Sequence, residues 1–211
     1  MRVVALSDTH NKHAELVVPD GDLLVHAGDL TAWGTDAELA ATLDWLAGLP
    51  HRHKLVVAGN HDRAFARNGV ASRAAARARG IWYLEGAGVE IRGLRVWGGP
   101  WTPPHRRRIW AYELPLAERA REWAAIPADV HVVVTHTPAA GILDLGDRGH
   151  RLGCPALRAR LRQLPALRAH VCGHLHEGRG ELTQDGVRYV NASAFGRRFP
   201  DPLRPAIVLD L

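Results

Sequence analysis

Lysine, cysteine and methionine are almost missing from this chain. Two cysteines, Cys154 and Cys172, and one methionine stand among 211 residues. Two thiols cannot build a cysteine-based zinc site or a disulfide framework, so both are expected to be reduced, with Cys172 buried in an apolar run. No apolar stretch approaches the roughly 20 residues that a membrane span needs. The first one, residues 3–6, stops at Ser7-Asp8, too short for a signal-peptide core. A cytoplasmic protein with no membrane partner is expected. Internal repeats, low-complexity tracts and linkers are also missing. At about 150 residues per domain, the length predicts one domain over 1–211, able to bury roughly 70% of its unfolded surface without a covalent or metal staple. Any metal is then functional rather than structural.

What is present is ordinary for a globular protein: 46% apolar and 23% charged residues, which excludes disordered and collagen-like chains. The net charge is +5, and because Lys12 and Lys54 are the only lysines, arginine supplies the remaining 25 of the 27 basic residues. An arginine- and alanine-rich chain of this kind reflects genome composition as readily as attraction to polyanions. Nothing in the sequence fixes an oligomeric state.

Short runs rich in β-branched residues read as strands at 3–6, 23–25, 55–58, 94–97, 130–134, 169–172, 187–190 and 206–209. Helical patterns lie between several of them. Thr35 and Glu38 form a capping-box pattern, Leu39, Leu43 and Leu46 give one apolar face, and Gly48 with Pro50 stops that helix. A second helix is expected over 72–79. Pro115 and Pro155 suit first helical turns leading to Trp123 and to Leu157, Leu161 and Leu164. Strands alternating with helices predict an α/β protein whose main strands are buried on both faces.

Five of these runs end, on their carboxyl side, in metal-binding residue types: Asp8 and His10, Asp29, Asn60 with His61 and Asp62, His136, and His174 with His176. In open α/β sheets the carboxyl ends of strands form one crest, so distant residues converge there. Asp8 and His10, like His174 and His176, are two apart, which in extended backbone points both side chains the same way. Two carboxylates, one amide oxygen and four imidazoles exceed what one ion can use. Two cations can use them if one carboxylate bridges, and Asp29 is taken as the bridge. Mixed oxygen and nitrogen donors without thiolate suit Mn²⁺, which we favour, or Fe, Co²⁺ or Zn²⁺. Two divalent ions, two carboxylates and a shared hydroxide leave a net charge of about +1, so an anionic substrate is expected, and hydrolysis of a phosphoester follows.

In this order the set D-x-H, G-D, G-N-H-D, T-H and G-H-x-H resembles the calcineurin-like metallophosphoesterase superfamily. Residues 19–30 (PDGDLLVHAGDL), 49–62 (LPHRHKLVVAGNHD), 99–103 (GPWTP) and 171–180 (VCGHLHEGRG), with Asn191-Ala192-Ser193, resemble its metallophosphoesterase domain-containing branch. The resemblance spans nearly the whole chain. It implies a four-layer α-β-β-α sandwich of two mixed sheets flanked by helices. It also implies that Asp8, His10 and His176 bind one metal, Asn60, His136 and His174 a second, and Asp29 both. His61 is then placed beside the substrate phosphate, with Asp62 as the residue expected to orient it. The segment Gly28-Asp29-Leu30-Thr31 departs from the pattern: it lacks a further acidic residue that many members carry, which leaves the partner of His61 open.

The expected activity is that of a phosphodiesterase with two metal ions, in which a hydroxide shared by the metals attacks in line. Small nucleotides such as 2′,3′-cyclic nucleotides are the substrates that the branch resemblance implies. A nuclease or nucleic-acid end-processing phosphoesterase, with single-stranded nucleic acid as partner, is the second reading, and a weakly active nucleotide-binding or scaffold protein the third. Trp101 and the run Arg106-Arg107-Arg108 mark one basic loop, read as a packed indole beside solvated charges, with nucleobase stacking as the alternative. Asn191 to Ser193 are expected to support the site from behind. The remaining histidines are expected on the surface or in the core, with His26 buried and hydrogen-bonded.

Overall fold

The computed structural model describes residues 1–105, 109–146, 149–196 and 202–211. Strands β1 (Arg2–Leu6), β2 (Leu23–His26), β3 (His53–Val57) and β4 (Ile81–Leu84) run parallel in one sheet, and β11 (Ile207–Asp210) adds antiparallel to β1. The second sheet has the order β5-β6-β7-β8-β10-β9, built from β5 (Ala87–Ile91), β6 (Leu94–Gly99), β7 (Val132–Thr135), β8 (Ala169–Cys172), β9 (Gly180–Gln184) and β10 (Val187–Asn191). Its four inner strands are parallel, and its two edges, β5 and β9, pair antiparallel. Both sheets are mixed.

Alternation within single strands builds the layers. Val3 and Ala5 of β1 pack between the sheets with Val25, Val57, Val96, Val134 and Val171, whereas Val4 and Leu6 face the other way, against helices. On that outer face lie α1 (Asp36–Gly48), α2 (Arg63–Arg67) and α3 (Gly69–Ala78). Leu39, Leu43, Leu46, Phe65 and Ala76 bury there. The second sheet is covered by α4 (Leu116–Ala124) and α5 (Pro155–Leu161), around Trp97, Trp101, Trp123, Leu157 and Leu161. The result is the expected α-β-β-α sandwich.

Local signals act as the sequence predicts. Thr35 Oγ1 accepts from the Glu38 N–H at 3.2 Å, and the Glu38 carboxylate accepts from the Thr35 N–H at 3.0 Å, closing the capping box of α1. Leu49 leaves that helix in extended backbone just before Pro50. The helix expected over 72–79 begins earlier, at Gly69. Strands β4, β5 and β9 and helix α2 were not expected, and β5 and β9 are largely exposed along their length. Both cysteines are buried and free. Among the described residues, no helix is long and apolar enough to cross a membrane.

Candidate metal centre

Five strand ends from two sheets meet at one edge. Asp8 and His10 follow β1, Asp29 follows β2, Asn60 and His61 follow β3, His136 follows β7, and His174 and His176 follow β8. The sheets are tied together there. Ser7 forms a β-bridge with Ser193, and the His174 backbone N–H lies 3.1 and 3.0 Å from the two oxygens of the Asp8 carboxylate that accepts it. Asp8, His10, Asp29 and His174 all have positive φ, at 55, 42, 53 and 67°. Such backbone costs on the order of 1–3 kcal/mol per non-glycine residue and persists where surrounding contacts over-determine it. Three glycines make room for the donors: a Cβ on Gly28 would collide with the His136 ring, one on Gly59 with Asp29 Oδ1, and one on Gly173 with Ser7 Oγ and Asp8 Oδ2.

Asp29 is the hub. Its Oδ1 accepts from the His61 backbone N–H at 2.8 Å, which leaves Oδ2 facing Nε2 of His136 at 3.3 Å, of His10 at 3.7 Å and of His61 at 4.0 Å. Asp8 Oδ1 faces His176 Nε2 at 3.3 Å and His10 Nε2 at 4.0 Å. Asn60 Oδ1 lies 3.2 Å from His136 Nε2, and the His174 ring lies 4.9 Å from that of His136. Three donor triads result, each with ligand atoms within 4.8 Å of one another: Asp8–His10–His176, His10–Asp29–His61 and Asp29–His136–His174. All seven donors anticipated from the sequence come together, and His61 stands among them.

These residues fit a metal on two further grounds. Among the described residues, His10 Nε2 is buried without a hydrogen-bond partner, a costly state for a polar nitrogen that a cation would relieve. His136 donates its Nδ1–H to the Ala27 carbonyl at 2.8 Å, so Nε2 is the ring nitrogen left to act as donor. A backbone carbonyl behind the ring is how ligating histidines are held in one tautomer.

The sequence profile of the calcineurin-like phosphoesterases matches residues 1–178. The chain belongs to this family. It is similar along its entire length to human metallophosphoesterase domain-containing protein 1, with 33% identity over 233 residues that cover 71% of that protein. A UPF0046 protein of Caenorhabditis elegans is 34% identical over 221 residues, covering 98% of this chain and 74% of the relative. The crystal structure of TT1561 from Thermus thermophilus superposes with a TM-score of 0.64 at 15% identity over 90% of this chain and 88% of that one, a likeness of fold.

In this calcineurin-like phosphoesterase the electrostatics of the centre are those of two carboxylates held ionised among imidazoles. Burial opposes charge on Asp8 and Asp29, but His176 beside the first and His136 beside the second outweigh it, and both carboxyls stay below the usual range. Burial likewise opposes the charged ring of His136, yet Asp29 raises it to about 9. His176 is raised for the same kind of reason by Asp8. His174 is pushed down to about 3, first by burial and then by His136, and so stays neutral. His61 and His176 keep 25% of their side-chain surface exposed, which opens this side of the centre to solvent.

One sequence expectation changes. Asp62 does not orient His61. Its carboxylate is fully used elsewhere, accepting from the Leu30 N–H at 3.2 Å, the Thr31 N–H at 2.9 Å, the Thr31 hydroxyl at 2.7 Å and the Gly59 N–H at 2.7 Å. It ties the loop after β2 to the loop after β3. The ring of His61 is held instead by the Ala32 carbonyl, which accepts its Nδ1–H at 2.7 Å. The hydroxyl of Thr31, two residues after Asp29, serves Asp62. Trp101 is the packed indole expected from the sequence, 8% exposed and edge-on to Trp123 at 5.1 Å, and the stacking alternative falls. Arg106, Arg107 and Arg108 lie outside the described residues.

Other expectations hold. Asn191 donates its amide to the carbonyls of Leu175 at 2.9 Å and Leu143 at 3.0 Å, which fixes the turn between His174 and His176 from behind. His26 is fully buried and hydrogen-bonded to the Thr9 hydroxyl at 3.1 Å. Sequence reasoning missed two aromatic side chains at the rim. Trp110 stacks on His61 with ring centroids 4.0 Å apart and planes at 29°, and Phe195 lies 5.2 Å from both His10 and His176. No periodicity marks either residue. Trp110 shares its loop with Trp101, and the two are not separable by spacing.

Proposed function

We propose that the chain is a phosphodiesterase with two metal ions, acting on small nucleotide-like substrates, with 2′,3′-cyclic nucleotides the first class to test. Residues 1–211 are read as one catalytic domain, because both sheets contribute donors. The supporting observation is Asp29, whose Oδ2 is a single carboxylate oxygen within 4.0 Å of three imidazole Nε2 atoms and which belongs to two donor triads. In this reading Asp8, His10 and His176 hold one ion, Asn60, His136 and His174 the other, and Asp29 both. Mn²⁺ is favoured, with Fe, Co²⁺ and Zn²⁺ as alternatives for the mixed oxygen and nitrogen donors. When bound, the ions supply a water acidic enough to ionise near neutral pH and positive charge against the phosphoryl oxygens.

The chain's own residues do the rest. His136 keeps its proton at Nδ1 on Ala27 and offers Nε2 inward. His61 keeps its Nδ1–H on Ala32, so its Nε2 is the position at which a proton can be held and moved. From there it donates a hydrogen bond to a non-bridging phosphate oxygen, or gives its proton to the leaving oxygen as the P–O bond breaks. The resemblance to the metallophosphoesterase domain-containing branch supports the cyclic-nucleotide class. A cytoplasmic location belongs to the same reading.

The test is turnover of a chromogenic phosphodiester and of 2′,3′-cyclic nucleotides with each of the four metals. Hydrolysis that depends on added metal and varies little with salt is expected. No turnover with any of them would overturn the enzymatic reading. A preference for single-stranded nucleic acid with a rate falling steeply in salt would replace the small substrate by a polymer.

A further inference from the structure

His61 has few constraints of its own. It follows β3 in a loop, a quarter of its side chain is exposed, and among the described residues one hydrogen bond, Nδ1–H to Ala32, holds its ring. A single hydrogen bond fixes one atom and leaves the ring free to rock about it. The ring is nevertheless enclosed on two sides. His10 meets it edge-on at 4.7 Å and 76°, and the indole of Trp110 covers a face at 4.0 Å and 29°.

Trp110 is itself held at this spot by backbone. The next residue, Ala111, donates its N–H to the Asn60 carbonyl at 2.9 Å, so the indole and the Asn60–His61 loop are attached one residue apart. The Thr102 N–H donates to the Tyr112 carbonyl at 3.0 Å, the Leu114 N–H donates to the Thr102 carbonyl at 3.0 Å, and the Tyr112 hydroxyl meets that of Tyr83 at 2.9 Å. These bonds fasten residues 111–114 to the second sheet's loop and to β4. Trp101, the other indole of the segment, is buried in the core. Trp110 is therefore the one of the two placed to act on the site.

We propose that Trp110 is a positioning residue for His61: its indole face fixes the imidazole plane so that Nε2 stays directed at the Asp29 side of the centre. This rests on the phosphodiesterase reading for its effect on rate, and on geometry alone for its effect on the ring. Misplacing a catalytic group by about 1 Å can lower a rate by on the order of 100-fold. Loss of one flat face from a ring still held by Ala32 falls below that limit.

Trp110→Leu keeps apolar bulk without a flat face, and Trp110→Phe restores one. In the metal-loaded enzyme, Trp110→Leu is expected to lower kcat about 10-fold, with KM and bound metal unchanged, and Trp110→Phe to recover most of it. In a His61→Ala background, Trp110→Leu should cause no further loss, because the residue acts through His61. In the metal-free protein, the His61 ring protons should resonate upfield under the indole ring current and move downfield in Trp110→Leu. A loss of kcat that persists without His61, or unchanged His61 resonances, would overturn the proposal. If wild-type protein hydrolyses no phosphodiester, the enzymatic reading fails while the resonance measurement still decides whether Trp110 sets the ring.

Discussion

His61 and Asp62 are chain neighbours whose side chains serve different partners. The ring of His61 touches Ala32, His10 and Trp110 beside the centre, while Asp62 collects four donors from Leu30, Thr31 and Gly59. Different losses follow. His61→Ala is expected to keep both metals and lower kcat by about 10²- to 10⁴-fold, the range for removal of a positioned proton donor, as read by metal analysis beside steady-state kinetics. Asp62→Asn replaces one accepting oxygen by an amide NH2 that faces other donors, leaving buried N–H groups unpaired at about 1–3 kcal/mol each. It should show as a lower midpoint in chemical denaturation. Adjacency in sequence invited the pairing of Asp62 with His61, but a residue's partners follow the fold. The carbonyl of Ala32 carries no mark in the sequence because any residue type would provide it.

At the scale of elements, the site is a set of loops at the ends of parallel strands, and its crowding depends on glycines, Gly59 and Gly173 among them. Gly59→Ala or Gly173→Ala would push a methyl group into Asp29 or into Ser7 and Asp8. Each is expected to destabilise the protein by about 1–3 kcal/mol and to lower metal content, by calorimetry and by metal analysis. The strands that carry donors were legible because they are buried on both faces and read as continuous apolar runs. β5 and β9 were not, because they are sheet edges exposed along most of their length, with sequences AGVEI and GELTQ that hold too few apolar residues to mark a strand. Helix α2 is five residues long, shorter than any periodic pattern can reveal. The convergence of Asp8, Asp29, Asn60 and the histidines was legible from chemistry repeated at strand ends. The aromatic rim was not, because contacts such as that of Trp110 with His61 join distant segments.

Over the whole molecule, burial of neutral histidines makes stability depend on pH. His170 is 1% exposed, and its Nε2 lies 2.8 Å from the Thr135 hydroxyl; because that hydroxyl donates to the Thr137 carbonyl at 2.6 Å, Nε2–H must be the donor. Burial, and then Arg158, lower His170 to about 3. Below the unfolded value of about 6.5 the unfolded chain takes up a proton that the folded chain refuses, so stability is full above that pH and falls as acid is added toward 3. At pH 5 this one residue should cost about 2 kcal/mol, a loss that His170→Gln would remove from the pH dependence of unfolding. Metal acts on the same balance, since ions bound only by the folded state raise its melting temperature and a chelator should lower it. The most direct test of two ions sharing Asp29 is the metal stoichiometry of purified folded protein, wild type beside Asp29→Asn and His176→Ala. We expect two equivalents in wild type, loss from both sites together in Asp29→Asn, and one remaining equivalent in His176→Ala. A wild-type protein that holds no more than one equivalent, or an Asp29→Asn protein that keeps two, would contradict the shared centre.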